Sequence, residues 1–303
     1  MIHLIIPVLN APAHTQACLA SVREQKGVNP IIVNNGSRKR TSDLITEWTA
    51  AGGKQVILPM NKGFAGGVNA GLRSMGDDIK DDTLVCIAHN DAIFFEGALD
   101  EMVDVLQGSD DDVAVVMPRT NYSNEGSPCI PTIREKFQAV KPSNKERVTV
   151  EDINRIVDSV IPDRKAFLKD LADSARLQAT YSPEISSFCI LTRGFFFHKY
   201  GWFDEDFWPR GFEDKWWWRD IERDGFVCMI ANRAFCWHFG NITSDGPGFS
   251  WPDNMRINEE KFKAKCNEKD ARMGEVMKAQ HPFFEEGKAD AGQGGEHPGQ
   301  TPV

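Results

Sequence analysis

The chain carries histidine, aspartate and glycine where they could hold a cation against a phosphate. A short apolar run, Leu84-Val85-Cys86-Ile87-Ala88, ends in His89-Asn90-Asp91. Upstream lies a glycine-rich segment, Asn61-Lys62-Gly63-Phe64-Ala65-Gly66-Gly67-Val68-Asn69-Ala70-Gly71-Leu72. Open α/β sheets bind ligands just outside the carboxyl ends of their strands, and a carboxylate there can fix a hard cation. Gly63, Gly66 and Gly67 allow close backbone approach, and the helix expected after them offers N–H groups to an anion. A later apolar run, Phe235-Cys236-Trp237, ends in His238. Two strand ends would then supply carboxylate and imidazole to one ion, a ligand mix that suits Mn²⁺. In Trp208-Pro209-Arg210-Gly211-Phe212-Glu213-Asp214, two carboxylates enter a helix from a glycine turn. One of them could act as a general base. Each piece also has a plainer account: a tight turn, an Asp capping that turn, a core histidine, a carboxylate capping a helix start.

Elements must bring these residues together. His3 to Val8 and Pro30 to Val33 read as buried strands, and Lys54 to Leu58, Thr83 to Ala88 and Val113 to Met117 as further strands. Between them, Ala13 to Gln25, a segment capped near Thr41-Ser42-Asp43 and running to Ala51, Gly66 to Met75 and Gly97 to Leu106 read as helices. Strands alternating with helices imply parallel pairing and right-handed crossovers. The rhythm breaks over 121–183, where Val150 to Val160 and Arg164 to Leu177 look like amphipathic helices. Strand character resumes at Ser187 to Leu191, and Met255 to Ala279 reads as a charged helix. The sequence thus divides into 1–120, a helical insertion at 121–183, a second half at 184–284 and a disordered tail at 285–303.

Composition narrows the classes. The 303 residues, 41% of them hydrophobic, suffice for a sizeable core. A formal charge of −9 opposes general attraction to nucleic acid or to an anionic membrane. No apolar run approaches the roughly 20 residues that span a bilayer. None of the seven cysteines forms a Cys-x-x-Cys pair, and a reducing cytoplasm fits. The first strand ends in Pro7-Val8-Leu9-Asn10 without a glycine, which argues against a nicotinamide or flavin enzyme. Eight tryptophans suggest ring faces for sugars or bases, some of them simply core.

In order, these segments resemble family 2 glycosyltransferases, most closely the rhamnosyltransferase-like branch. Ile5 to Asn10 resembles the opening strand, and Ile32-Val33-Asn34-Asn35-Gly36-Ser37 the "V-D-N-G-S" segment. Asn61 to Gly71 is similar to "N-x-G-F-A-G-G-x-N-x-G", and His89-Asn90-Asp91 stands in the place of the Asp-x-Asp metal motif. Gly201-Trp202-Phe203-Asp204-Glu205 with Phe212-Glu213-Asp214 resembles "G-G-F-D-E…E-D", and Trp237-His238 stands where a metal-binding His is frequent. The resemblance implies the α/β GT-A nucleotide-sugar-binding fold, a mostly parallel central sheet with helices on both faces. It implies donor contacts from Pro7, Leu9, Asn10, Asn34, Gly36, Asn61, Gly67, Asn69 and Asn90. It implies Mn²⁺ or Mg²⁺ on Asp91 and His238, with His89 either a further ligand or leaving Asp91 to work alone at that strand end. Asp214, beside Glu213, would deprotonate the acceptor hydroxyl for inverting transfer. Trp208, Arg210, Trp216 and Trp217 would face the acceptor. The expected partners are a nucleoside-diphosphate sugar, UDP- or dTDP-linked first, and a glycan or glycoconjugate met in the cytoplasm or at a membrane surface. Three positions depart from the pattern: Asn34 for the base-reading Asp, His89 for the first metal-motif acid, and Trp216 for a second acid after Glu213-Asp214. The alternatives are a phage-type enzyme acting on a modified DNA base, and a non-catalytic sugar-nucleotide-binding protein.

Overall fold

The structure, a computed structural model, describes residues 1–124, 127–142, 148–240, 242 and 250–280. Nine strands are β1 (Ile2–Val8), β2 (Val28–Asn35), β3 (Lys54–Leu58), β4 (Leu84–Ala88), β5 (Ala92–Phe94), β6 (Val113–Arg119), β7 (Ala179–Ser182), β8 (Cys189–Arg193) and β9 (Val227–His238). The helices are α1 (Pro12–Arg23), α2 (Lys39–Ala50), α3 (Gly63–Met75), α4 (Ala98–Gly108), α5 (Pro131–Val140), α6 (Val150–Val160), α7 (Arg164–Ser174), α8 (Gly194–Tyr200), α9 (Glu213–Arg223) and α10 (Trp251–Gln280). The described residues up to Asn258 form one compact unit, and those from Glu259 a second. The tail expected at 285–303 lies outside the described residues.

The sheet order is β3-β2-β1-β4-β8-β6-β9-β5, with β7 also on β9. The first four strands in that order pair in parallel, as alternating strands and helices require. Beyond β4 the sheet is mixed. β8 enters antiparallel to both β4 and β6, β9 runs parallel to β6, and β5 and β7 pair antiparallel to β9. The short strands β5 and β7 lie outside the sequence expectation, because three or four residues show no periodicity.

Helices cover both faces. On one, α1, α2 and α4 pack through Leu19, Ile45, Leu99 and Leu106 against β1, β4 and β8. On the other, α3, α8 and α9 bury Val68, Leu72, Phe197, Trp217 and Ile221. A third cluster joins α1, α5 and α6 to β5 and the end of β9 around Phe137, Val157 and Trp237. Three expected helix starts move. α10 begins at Trp251, four residues before its expected Met255. α2 begins at Lys39 instead of capping at Thr41-Ser42-Asp43, with Thr41 buried inside its first turn. α3 begins at Gly63, three residues before its expected start at Gly66, so the glycines lie within it.

Candidate active site

The register of the short strand β5 against β9 creates the site. His89 leaves β4 with its N–H on the Phe188 carbonyl (2.9 Å), and a turn closes as Ala92 N–H donates to the His89 carbonyl (3.2 Å). Ala92 then pairs with His238 across β5 and β9, and Phe239 N–H donates to the Asp91 carbonyl (3.2 Å). Asp91 and His238, far apart in the chain, thus become neighbours. Asp91 Oδ1 lies 3.5 Å from His238 Nε2 and 3.9 Å from His89 Nδ1, and the two imidazole nitrogens are 3.3 Å apart. Among the described residues these three form the one cluster of His, Cys, Asp or Glu able to hold an ion.

The surroundings orient each member. His238 Nδ1 lies 2.8 Å from the Tyr122 carbonyl. A carbonyl only accepts, so Nδ1 carries the proton and Nε2 is the atom turned to Asp91. Asn121, wholly buried, accepts from His238 N–H (2.7 Å) and donates to its carbonyl (3.0 Å), as a neighbouring strand would. Phe188 stacks on the His238 ring, and Phe64 meets His89 edge-on. Asn90, between the two ligand types, donates to Thr15 (2.9 Å).

Electrostatics favour an ion. Burial opposes the charge on Asp91, yet His238, His89 and His14 outweigh it and hold its pKa below the usual carboxylate range. Burial first, then His238, push His89 down to about 3, which leaves it neutral, the form that ligates. Three atoms at these separations can all lie about 2.0–2.2 Å from one ion, the usual range for nitrogen and oxygen ligands. The donor set therefore fits a divalent metal.

The glycine segment does something other than present open N–H groups. Phe64 N–H donates to the Pro209 carbonyl (2.8 Å), Gly63 N–H to Asn61 Oδ1 (2.9 Å) and Lys62 N–H to Asn35 Oδ1 (2.9 Å). The start of α3 is thus tied to the 208–211 loop through Phe64 and to Asn61 and Asn35 beside it. A Cβ on Gly67 would lie 2.8 Å from Pro7, and one on Gly71 would strike Ile5, so these glycines let α3 lie close on β1. Asn35 donates to both Asn61 and Gly63 and ties the segment to β2; it escapes the sequence reading beside its neighbour Asn34. Asn34 itself accepts from Ser37 N–H (3.0 Å) and donates to Ser42 (2.8 Å), which builds the turn at Gly36. Asn69 donates to the Phe203 carbonyl and to Glu205. The amides of Asn34, Asn61 and Asn69 are therefore engaged with neighbouring backbone and side chains. Leu9 and Asn10 are only half-buried at the end of β1, where Asn10 and Ala11 both adopt left-handed backbone (φ 55° and 54°).

The acidic pair opens α9. Asp214 Oδ2 accepts from Ser187 Oγ (2.8 Å) and Ser187 N–H (3.2 Å). Burial and then the neighbouring Asp214 charge raise the Glu213 pKa to about 8. Glu213 is therefore mostly protonated at neutral pH. Arg210 lies within electrostatic reach of both His89 and Glu213, and Asn258 Nδ2 donates to its carbonyl (3.0 Å). Of the aromatic candidates, Trp208 is 48% exposed and Trp216 half-buried. Trp217 is a correction: it is 3% exposed, stacks on Phe197 and donates Nε1–H to the Gly201 carbonyl (2.9 Å). Helical spacing puts Trp217, Trp218 and Ile221 on the inward face of α9, so Trp217 is core and not an acceptor contact.

The family described as Glycosyl transferase family 2 matches residues 3–168. No curated protein matches the chain. Among solved structures, the chain is similar to the mannosyltransferase PcManGT from Pyrobaculum calidifontis, in complex with GDP-Man and Mn²⁺: 15% identity, TM-score 0.55. That match covers 88% of this chain and 64% of the other. A second is residues 1–349 of S. aureus TarS, at 14% identity and TM-score 0.49, covering 78% and 60%. The chain thus spans less than two thirds of either neighbour. Among the described residues, no helix is long and apolar enough to cross a membrane.

Proposed function

The chain belongs to glycosyl transferase family 2, and on that premise we propose that it moves a glycosyl group from a nucleoside-diphosphate sugar to an acceptor hydroxyl, with inversion. The observation that carries this reading is the His89-Asp91-His238 cluster at the ends of β4 and β9, in a chain of this family. A divalent ion held there would neutralise the charge that develops on the departing diphosphate. The ends of β1 and β2, at Pro7, Leu9, Asn10 and Gly36, form the donor side of the cleft, backed by Asn34, Asn61, Gly67, Asn69 and Asn90.

Asp214 receives the acceptor proton. Beside it, burial and then the Asp214 charge raise the Glu213 pKa to about 8, so Glu213 is a largely neutral neighbour of the proposed base. Ser187 fixes the Asp214 carboxylate through Oδ2. As the acceptor O–H bond breaks toward Asp214, the acceptor oxygen bonds to the anomeric carbon and the carbon–phosphate oxygen bond opens on the far side. The transition state has oxocarbenium character, as in other glycosyl transfers. Arg210 adds positive charge between the metal cluster and the acidic pair, and the exposed face of Trp208 offers a sugar ring a stacking surface.

Calorimetric titration with UDP, dTDP, GDP and CDP, each with and without Mn²⁺, tests the donor. GDP joins the expected UDP and dTDP because the mannosyltransferase neighbour carries GDP-Man. Binding of one nucleotide that collapses on chelation supports the reading. A folded protein that binds none of the four overturns it.

A further inference from the structure

Helix α5 carries a half-buried guanidinium that no acid neutralises among the described residues. Arg134 Nη1 donates to the Cys129 sulfur (3.9 Å), a weak acceptor, and Arg134 Cζ lies 5.7 Å from the centre of the Tyr122 ring. Lys141 Nζ lies over the same ring, 4.2 Å from its centre. We propose that Arg134 and Lys141 bind a phosphate group carried by the acceptor. The inference rests on the acceptor reading above and names a chemical class for that acceptor.

Topology puts this pair beside the site. β1, β2, β4, β6 and β9 all run the same way, so the chain that leaves β6 at Arg119 emerges at the sheet edge carrying His89 and His238. β1 and β2 lie on one side of β4, and β6 and β9 on the other. A donor held at the ends of β1 and β2 is therefore across the metal cluster from the segment that follows β6. Two sets of contacts tie the pair to the cluster and to the proposed base. The Tyr122 carbonyl lies 2.8 Å from His238 Nδ1. The Cys129 sulfur accepts from Ser123 N–H (3.1 Å), and Ser123 Oγ donates to Ser186 Oγ (3.0 Å), next to the Ser187 that holds Asp214. The platform under the cations is fixed, because a Cβ on Gly240 would strike the Tyr122 ring. A ring face attracts a cation without cancelling its charge. The guanidinium fork matches two phosphate oxygens, and the ammonium adds a point charge. The formal charge of −9 opposes an anionic membrane as the source, so the phosphate belongs to an individual acceptor molecule.

The test is a phosphorus NMR titration of the full chain with inorganic phosphate and with glycerol phosphate, in excess chelator so that no metal-bound donor site contributes. We expect saturable binding to the wild type. Arg134→Gln should weaken it about five- to ten-fold, the loss of one charge-assisted pair, and Arg134→Lys should restore part of it. Lys26→Gln removes the same charge from an exposed position before β2, at the opposite sheet edge, and should leave binding unchanged. Circular dichroism verifies folding, and Lys141→Gln replaces any Arg134 variant that unfolds. Absence of saturable binding, or equal binding by Arg134→Gln, would overturn the proposal. Cosedimentation with phosphatidylglycerol vesicles without binding of glycerol phosphate would overturn it too, because the patch would then be a membrane contact. A chain that binds phosphate through Arg134 but no nucleoside diphosphate with Mn²⁺ would remove the donor reading and support this site.

Discussion

Glu213 and Asp214 share a helix start and are both buried, so burial and hydrogen bonding set their chemistry. Burial lifts Glu213 to about 8, while Asp214 receives hydrogen bonds from Ser187. A carboxyl whose pKa is raised on folding stabilises the fold below its unfolded value, and that contribution is lost as pH rises through the folded one. Wild-type stability should therefore fall between about pH 4.5 and pH 8 by more than that of Glu213→Gln, which mimics the protonated acid. Melting temperatures across that range check this; parallel curves for the two proteins would show that Glu213 is not the group responsible. Asp214→Asn should leave donor binding intact and lower transfer by about 10²–10⁴-fold, the usual contribution of a general base. Transfer at near wild-type rate would take the base role from Asp214. Asp91→Ala should weaken Mn²⁺-dependent nucleotide binding, and an unchanged affinity would take Asp91 out of the ligand set.

At the scale of elements, the site depends on contacts that look like packing. Helix α3 lies on β1 only because Gly71 has no side chain where Ile5 sits. Gly71→Val should cost about 1–3 kcal/mol by forcing apart a filled core, measured by denaturant unfolding. An unchanged midpoint would mean that the helix has room to shift. The end of β9 is fixed by Asn121, whose amide pairs with both backbone groups of His238. Asn121→Ala should lower Mn²⁺ affinity by about 10–100-fold while Asp91 and His238 stay in place, as loss of an orienting neighbour does at other metal sites. Equal affinity in that variant would make Asn121 purely structural. Asn121 and Ser187 carry no motif of their own, and nothing in their local sequence distinguishes them from surface polar residues.

Across the whole molecule, the donor-side strands and the acidic pair are linked through the 208–211 loop. Pro209 accepts from the first turn of α3, and Asn258 holds the Phe207 and Arg210 carbonyls. Occupation of the donor side should therefore stabilise the entire compact unit up to Asn258. Saturating Mn²⁺ with the preferred nucleoside diphosphate, at about a hundred times its dissociation constant, should stabilise the fold by about 2.7 kcal/mol, and chelation should reverse it. A single melting transition that moves as one would agree with this linkage. Two transitions, of which one moves, would separate the halves.

Much of this was legible before any coordinates. The strands of the first half, the metal-ligand types at two strand ends and the Glu213-Asp214 pair follow from period, turn chemistry and residue type, all local properties of the chain. What the tertiary structure alone decided is non-local. The three-residue strand β5 and its register against β9 bring Asp91 to His238, and a one-residue slip would turn one of them away. The distant Pro209 carbonyl takes the Phe64 N–H of the first turn of α3, one of the groups expected to face an anion. The raised pKa of Glu213 and the burial of Trp217 likewise arise from what the rest of the chain packs around them. Residue type fixes what a group can do, whereas its partners and its solvent are set by segments distant in sequence.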